Sequence, residues 1–552
     1  MADCGDVCFY LHAHLPYLLG HGTWPHGSVW LYEAAAGVYL PLLRRFHDLA
    51  EEGVPFALGL GLTPPLAEQL GDPRCESGLL EYLRGHAVAA EEDAVAFEEQ
   101  GEQELAALAR SWAAEFVSQT RFFESRRRDL PGIVCALAES GHLEPAASCA
   151  THGYLPLLGR DDALDRQVRL GLLSFQRWAP DWRGGFWTPE CAYRPARPWR
   201  RAHTDDRPRL RRATSEALTG HDVTYTFVDG HLLRAEPAAE TPGGAEVQAH
   251  YNAFREHHHT PYPDREPYGV TRLEGSSLKL LARDFEANRQ VWDGFLGYPG
   301  DPRYREFHRR RWPSGLRYWR VTGKEVYVGH KAPYEPEAAA AAVEEHAAHF
   351  VGLLEQVTRK ASGERAVLAL PFDCELFGHW WHEGPAWLER VLRGIADSPL
   401  LEAVTPAAAL ERNPARPVVL QEGSWGYDGF HRVWLDEHTA DFWELVYDAE
   451  DRLAAAARSH VDEDRELARR FLAQAARELL LLESSDWPFL VHGHSAKDYA
   501  RRRYNEHHEY CLALLEGLRQ LDAGGVDPAA EQLLSRREST TPFAWAAWEE
   551  LR

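Results

Sequence analysis

Seven short apolar runs punctuate the first 375 residues: VCFYLH near 7 to 12, VPFALGLGL near 54 to 62, HLEPAASCA near 142 to 150, GFWTP near 185 to 189, VTYTFVD near 223 to 229, LKLLARD near 278 to 284 and AVLALPFD near 366 to 373. Runs of this length and character suit strands buried on both faces, as in parallel sheets. Between them lie stretches of helical period, among them EAAAGVYLPLLRRFHDLAEE and EPEAAAAAVEEHAAHFVGLLEQV. Strands alternating with helices predict an α/β barrel or wound sheet over about 1 to 405, with function gathered at the carboxyl ends of the strands. A charged, Ala-rich helical excursion at about 80 to 130 reads as an insertion. Beyond about 405 the strand signal fades, and amphipathic patterns at 437 to 457, 464 to 483 and 500 to 520 predict a helical C-terminal domain, 406 to 552. Residues 230 to 268 are rich in Pro, Gly and His without clear period, and a loop of that length in a compact enzyme is expected to be functional or mobile.

Composition narrows the function. A chain of 552 residues, 45% hydrophobic, has ample material for a large core. Its formal charge of −24 repels phosphate, which argues against nucleic acid or an anionic bilayer as partner and leaves neutral substrates open. The start, MADCGDVCFY, lacks a basic segment followed by a long apolar one, and no run is long enough to span a bilayer, so a cytoplasmic location is expected. Eight cysteines at 4, 8, 75, 135, 149, 191, 374 and 511 form no C-x-x-C pair and read as core thiols kept reduced. The 19 Trp, 21 Tyr and 22 Phe serve either as core or as flat stacking platforms. Oligomeric state is not legible in these numbers.

Chemistry-bearing residues collect at the strand ends. LHAHLPY closes the first strand with His12 and His14 on one side of it, as substrate ligands, a His-x-His metal site or a buried core pair. His152 follows the third strand, while Glu144 near its start suits a structural role. In GFWTPECAYRP, Pro189 and Pro195 frame a rigid turn that presents Glu190 between Trp187 and Tyr193. In PFDCELFGHWWHEG, Asp373 ends the seventh run, Glu375 falls in a turn and takes a supporting role, and His379 to His382 form a candidate wall beside the acid. Two carboxylates from different strands, flanked by rings and histidines, are the parts of glycoside hydrolysis or transfer: one attacks, the other protonates the leaving oxygen. Nearby apolar rings would raise the pKa of the acid and stack on sugar faces. Trp292, Trp425 and Trp434 lie in irregular, Gly-rich segments, and Asp486 precedes Trp487 in SSDWPF.

Taken together, HAHLPY, ATHGYLPLL, FWTPECAYRP, PFDCELFGHWWHEG, EGSWG and SSDWPF, running from residue 12 to 489, resemble glycoside hydrolase family 57, and within it the α-1,4-glucan branching enzymes. The resemblance implies a (β/α)7 barrel, an incomplete relative of the eight-fold barrel, with a helical domain closing over the cleft. It implies a retaining mechanism with no metal, and no cofactor is expected. Carried over by motif, Glu190 is the nucleophile and Asp373 the general acid/base, with carboxyls ~5–5.5 Å apart. His12, His14, His152 and Asp486 bind the sugar at the cleavage point, and Trp24 or Trp30, Trp292, Trp425 and Trp434 line the groove. The partners are an α-1,4-glucan donor and a glucan acceptor.

A branching enzyme must keep water from its intermediate until an acceptor arrives, and the resemblance implies a mobile loop carrying a Tyr. The matching segment, 230 to 268 within a second insertion of about 196 to 268, departs from the family in length and sequence and offers Tyr251 and Tyr262. With poor shielding the same residues give an α-glucan hydrolase, and with a 4-hydroxyl acceptor a 4-α-glucanotransferase. Two rivals from other classes are a metal-dependent hydrolase or deacetylase on His12, His14, His152 and Asp373, and a noncatalytic glucan-binding protein.

Overall fold

The structure is a computed structural model that describes residues 2–179, 181–204, 206–234, 266–293, 296–427, 429–461 and 464–552. Tyr251 and Tyr262 lie outside the described residues.

All seven apolar runs are strands of one parallel ring. They are β1 (Cys4–Ala13), β2 (Leu58–Leu62), β3 (Leu143–Pro145, resuming as Ala147–Ser148), β4 (Gly185–Trp187), β5 (Tyr225–Asp229), β6 (Lys279–Arg283) and β7 (Arg365–Asp373). Each pairs in parallel with the next, and β7 returns to β1 in a register running from Cys4↔Arg365 to His12↔Asp373. The weakest seam is β6 to β7, joined at Arg283↔Ala369. The chain thus folds as an almost closed (β/α)7 barrel. Its strands are buried on both faces because helices pack outside while side chains fill the interior.

That filling explains the odd composition of β2, LGLGL. A Cβ on Gly61 would lie 2.1 Å from the Tyr10 hydroxyl, and one on Gly59 would lie 2.6 Å from its ring. The two glycines leave room for Tyr10, which stacks on Trp187 at 5.2 Å and meets Phe227 at 4.5 Å. This aromatic plug supports the strand ends above it. At the opposite end Glu144 is buried, accepting from the Tyr225 hydroxyl and from the Ala407 backbone N–H at 2.8 Å, a structural role.

The helical excursion is a hairpin of α1 (Pro73–Glu99) and α2 (Gln103–Ser125). The C-terminal region holds α3 (Ala440–Ser459), α4 (Glu466–Leu482), α5 (Asp486–His492) and α6 (Lys497–Asp522). Almost every residue of α4 from Ala468 on is buried, as a helix enclosed by neighbours requires. One element past 405 is not helical: Arg416–Leu420 is a strand paired in parallel with Val270–Leu273. Its alternation is too short to stand out from a helical background. Among the described residues no helix is long and apolar enough to cross a membrane.

Candidate active site

The turn after β4 is the most strained part of the site. Glu190 sits in the left-handed region (φ 65°, ψ 22°), and Cys191 follows with φ 49°. Such conformations cost roughly 1–3 kcal/mol each in a non-glycine residue and persist only where surroundings hold them. Here the loop from 423 to 425 does so. Tyr193 and Gly423 exchange backbone hydrogen bonds at 2.8 and 3.1 Å, and the Trp425 backbone N–H donates to the Glu190 carbonyl at 3.0 Å. The Trp425 indole N–H then donates to Glu190 Oε2 at 2.7 Å. The turn therefore aims one carboxylate and fixes it at both ends.

Histidines from two strand ends meet beside it. His12 and His152, both buried, approach Nε2 to Nε2 at 2.9 Å, and the His12 ring stacks on Trp187 at 4.6 Å. His152 Nδ1 meets Ser485 Oγ at 2.8 Å and lies 4.0 Å from Glu190 Oε1. His14 uses both ring nitrogens, Nδ1 on Thr63 Oγ1 at 2.8 Å and Nε2 on Asp486 Oδ2 at 2.9 Å. A metal centre on these histidines needs free, convergent nitrogens. His14 has none to give, and His12 and His152 are engaged with each other, so the geometry favours the hydrogen-bonding reading over the deacetylase-like one.

Asp373 ends β7 as the register partner of His12, which brings it beside this cluster. Its side chain has no hydrogen bond among the described residues. The strand stops there, and Cys374–Leu376 is a turn, so Glu375 points elsewhere: it accepts from the Tyr39 hydroxyl at 2.5 Å and from the His14 backbone N–H at 3.1 Å. It braces the His14 loop.

Burial dominates the electrostatics. It raises Glu190 to about 8, with the Asp373 charge adding to the rise and the Trp425 N–H opposing it. It raises Asp373 to about 7 against the charges of His14 and Arg283. Near neutrality the two carboxyls therefore hold a proton between them. Burial also lowers the pKa of His12 and His152 far below the usual imidazole range, His14 adding to the effect at both, so they are neutral. Asp486 is the exception: burial resists its ionisation, but His14, His152 and the Ser484 hydroxyl together outweigh it and hold the carboxylate charged, with a pKa of about 2.

Residues 8–421 match the family model described as glycosyl hydrolase family 57, and residues 445–544 match that of the 1,4-alpha-glucan branching enzyme C-terminal region. The chain belongs to glycosyl hydrolase family 57. Among its family-57 relatives, the 1,4-alpha-glucan branching enzyme TK1436 of Thermococcus kodakarensis is 37% identical over 98% of this chain and 77% of its own. The crystal structure of TK1436 superposes with a TM-score of 0.88, covering 99% of this chain and 96% of that one. A probable 1,4-alpha-glucan branching enzyme of Mycobacterium tuberculosis, Rv3031, is 33% identical over 91% of this chain and 90% of its own. The alpha-amylase AmyC of Thermotoga maritima superposes at 0.81 with 26% identity, covering 99% of both chains.

Across this family-57 site the expected groove tryptophans divide. Trp425 touches Glu190, and Trp292 stands edge-on to it at 6.4 Å. Trp30 is on neither carboxyl; it packs against His26 and Tyr499 at 4.8 and 5.6 Å, while Trp24 is 71% exposed. Trp434 is a correction. It is 1% exposed, stacked on Tyr154 at 4.5 Å beneath Gly426, and so supports the loop rather than lining a groove. The His379 to His382 wall is another. Trp381 is buried among Tyr298, Tyr304 and Trp387, Trp380 lies on Phe307, and His382 meets Trp112, because the turn after Asp373 carries the run away from the acid. Ser485, Arg283 and Asp229 were not singled out from sequence. Arg283 pairs with buried Asp229 and lies 5.3 Å from the centre of the Trp425 ring, behind the residue that grips Glu190. Both stand at strand ends, the signal that finds them.

Proposed function

We propose that this chain is a 1,4-α-glucan branching enzyme that cuts an α-1,4-glucan and moves the released segment to a 6-hydroxyl of an acceptor glucan, as in glycogen synthesis. The observation that carries this reading is how the C-terminal helices seat on the barrel. The segment matching the branching-enzyme model supplies Ser485 and Asp486, which hold His152 and His14 beside Glu190. The turn at 484 is also bridged to Gly153, and the Ser485 N–H donates to the His152 carbonyl at 3.0 Å.

In this reading Glu190 is the nucleophile. The Trp425 indole N–H favours its charged form, and the strained turn fixes the direction of attack. Burial raises both carboxyls, Glu190 the further, so the pair shares a proton. In the reactive arrangement it sits on Asp373, the acid, which has no donor of its own, and Glu190 carries the charge against the Trp425 N–H. Glu190 attacks the anomeric carbon while Asp373 gives its proton to the departing 4-oxygen, leaving a covalent glucosyl ester. The acceptor 6-hydroxyl then attacks that carbon, its proton passes to Asp373, and the Glu190 carboxylate leaves. His12, His14, His152 and Asp486 bind the sugar spanning the cut, and Trp292 and Trp425 flank it. A cytoplasmic location suits the eight cysteines, all free thiols.

Amylose incubated with the enzyme tests this. Branching yields new reducing ends only after enzymatic debranching. Ends present beforehand would mean hydrolysis, the outcome that similarity to AmyC keeps in view. A changed chain-length spread without new ends would mean α-1,4 transfer.

A further inference from the structure

A cavity of about 610 Å³ opens among the helices outside the barrel, between the α1–α2 hairpin and the segment that follows Asp373. It shares no lining residue with the carboxyl site, and its size is that of a small-molecule pocket. Its charge runs against that of the chain. The protein carries −24, yet six arginines line this one space, with neither lysine nor aspartate among them.

Five glutamates face the arginines, and four are engaged. Glu115 pairs with Arg44 at 2.9 Å, Glu389 with Arg45, and Glu344 with Arg390 at 2.6 Å. Glu33 serves two cations at once, Arg310 at 2.8 Å and Arg317 at 3.0 Å. The fifth, Glu383, accepts the backbone N–H of Arg305 at 3.0 Å, and burial pushes its carboxyl toward the neutral form.

Arg305 is left over. Its guanidinium has neither a carboxylate within ion-pair distance nor a side-chain hydrogen bond among the described residues. It lies 5.5 Å from the centre of the Trp112 ring. Burial, and next the Arg317 charge, bring its pKa down to about 10. Arg305 is half-buried at the cavity wall with no carboxylate in ion-pair range, so an anion that enters would give it the direct partner it lacks. Six arginines against five glutamates, one of them shifted by burial toward its neutral form, leave the lining net positive, with Arg305 the cation that lacks an ion-pair partner among the described residues. A planar fork also suits a phosphoryl group, which carries close to two charges at neutral pH. A neutral sugar fits less well, since the Trp112 ring on which it would stack already carries Arg305.

We propose that this cavity binds a small phosphomonoester, its phosphoryl group on Arg305 and its body against Tyr334 and His382. The site is independent of the branching reaction, so its success or failure leaves that assignment untouched.

Calorimetric titration of the full-length protein with glucose 1-phosphate, AMP, inorganic phosphate and glucose tests this. We expect at least one phosphate-bearing probe to bind and glucose at the same concentration not to displace it. Arg305→Gln should weaken that binding about tenfold or more while branching of amylose stays at the parental rate. Inorganic phosphate binding as tightly as the esters would identify free phosphate as the ligand; tighter esters would identify an organic one. Arg305→Lys keeps the charge without the fork, so it is expected to fold where Gln does not and still to lose several-fold in affinity. No binding by any phosphate-bearing probe at millimolar concentration, affinity unchanged in both variants, or displacement by glucose would each overturn the proposal.

Discussion

Trp425 donates its indole N–H to Glu190 Oε2 at 2.7 Å across 235 residues of chain, and its backbone N–H holds the Glu190 carbonyl. One residue thus secures both the conformation of the strained turn and the orientation of its carboxylate. The two contributions separate in Trp425→Phe, which keeps the backbone bond and the aromatic bulk but removes the side-chain donor. A hydrogen bond to a charged group is worth about 1.5–3 kcal/mol. Turnover on amylose should therefore fall about 10- to 100-fold with melting close to the parent; a parental rate would remove Trp425 from the mechanism.

The two carboxyl roles are distinguishable by what rescues each loss. Glu190→Gly leaves a gap on the face from which the nucleophile attacks, so added azide should restore turnover of an activated α-glucosyl donor and give the inverted azide. Asp373→Ala still forms the glucosyl ester, so azide should intercept it and give the retained product. Without azide, both variants should lose at least about a thousandfold on amylose. Exchanged stereochemistry would exchange the assignments.

Much of this arrangement is legible in the sequence, and the parts that are not share a cause. Buried parallel strands reveal themselves as unbroken apolar runs, so all seven were found, with the polar residues at their ends. Long-range closure is silent in local pattern. Nothing around Ser485 announces that it meets His152, 333 residues earlier. The same blindness misplaced the His379 to His382 run, where Gly378 turns the chain and sends Trp381 into the core. Trp434 was misjudged for a related reason: a tryptophan near a Gly-rich loop looks the same in sequence whether it lines the loop or supports it.

Glu190 also leaves a signature in stability. A free glutamate titrates near about 4.3, whereas burial raises the folded group to about 8. Between those values the folded chain keeps a proton that the unfolded chain has released. Stability therefore falls as pH rises through the window, and the loss is complete above the folded value. Glu190→Gln cannot titrate. Its melting temperature relative to the parent should climb from about pH 5 to about pH 8 and then level off; a gap independent of pH would mean that Glu190 ionises normally in the fold.

Asp486 ties the C-terminal helices to the barrel chemistry through His14 Nε2 at 2.9 Å. Asp486→Ala frees His14 to rotate and removes the charge beside it. The expected result is a fall in kcat/KM of about 10- to 100-fold on a short maltooligosaccharide, with circular dichroism unchanged. Asp486→Asn can still accept from His14 and should fall between parent and Ala. Parental kinetics in Ala would confine Asp486 to a structural role.

Gly378 tests whether the turn after Asp373 is held by geometry alone. It has φ +122°, and a Cβ built on it would lie 1.9 Å from the Gly37 carbonyl oxygen, backbone that cannot swing aside. Gly37 belongs to the helical stretch that carries Tyr39, whose hydroxyl holds Glu375, which in turn holds the His14 N–H. Gly378→Ala therefore strains the turn and pushes on the residues that brace the site. We expect about 3 kcal/mol or more of destabilisation, seen as early melting at a fixed scan rate, together with reduced turnover. Gly352→Ala is the matched control: it lies in the helix Pro336–Lys360 with nothing within 4 Å of the added carbon. There the same substitution should stabilise by about 0.4–1 kcal/mol and leave turnover unchanged. If Gly378→Ala melts and turns over like the parent, the turn has slack that the close approach to Gly37 does not allow, and the bracing of His14 through Glu375 would have to be abandoned.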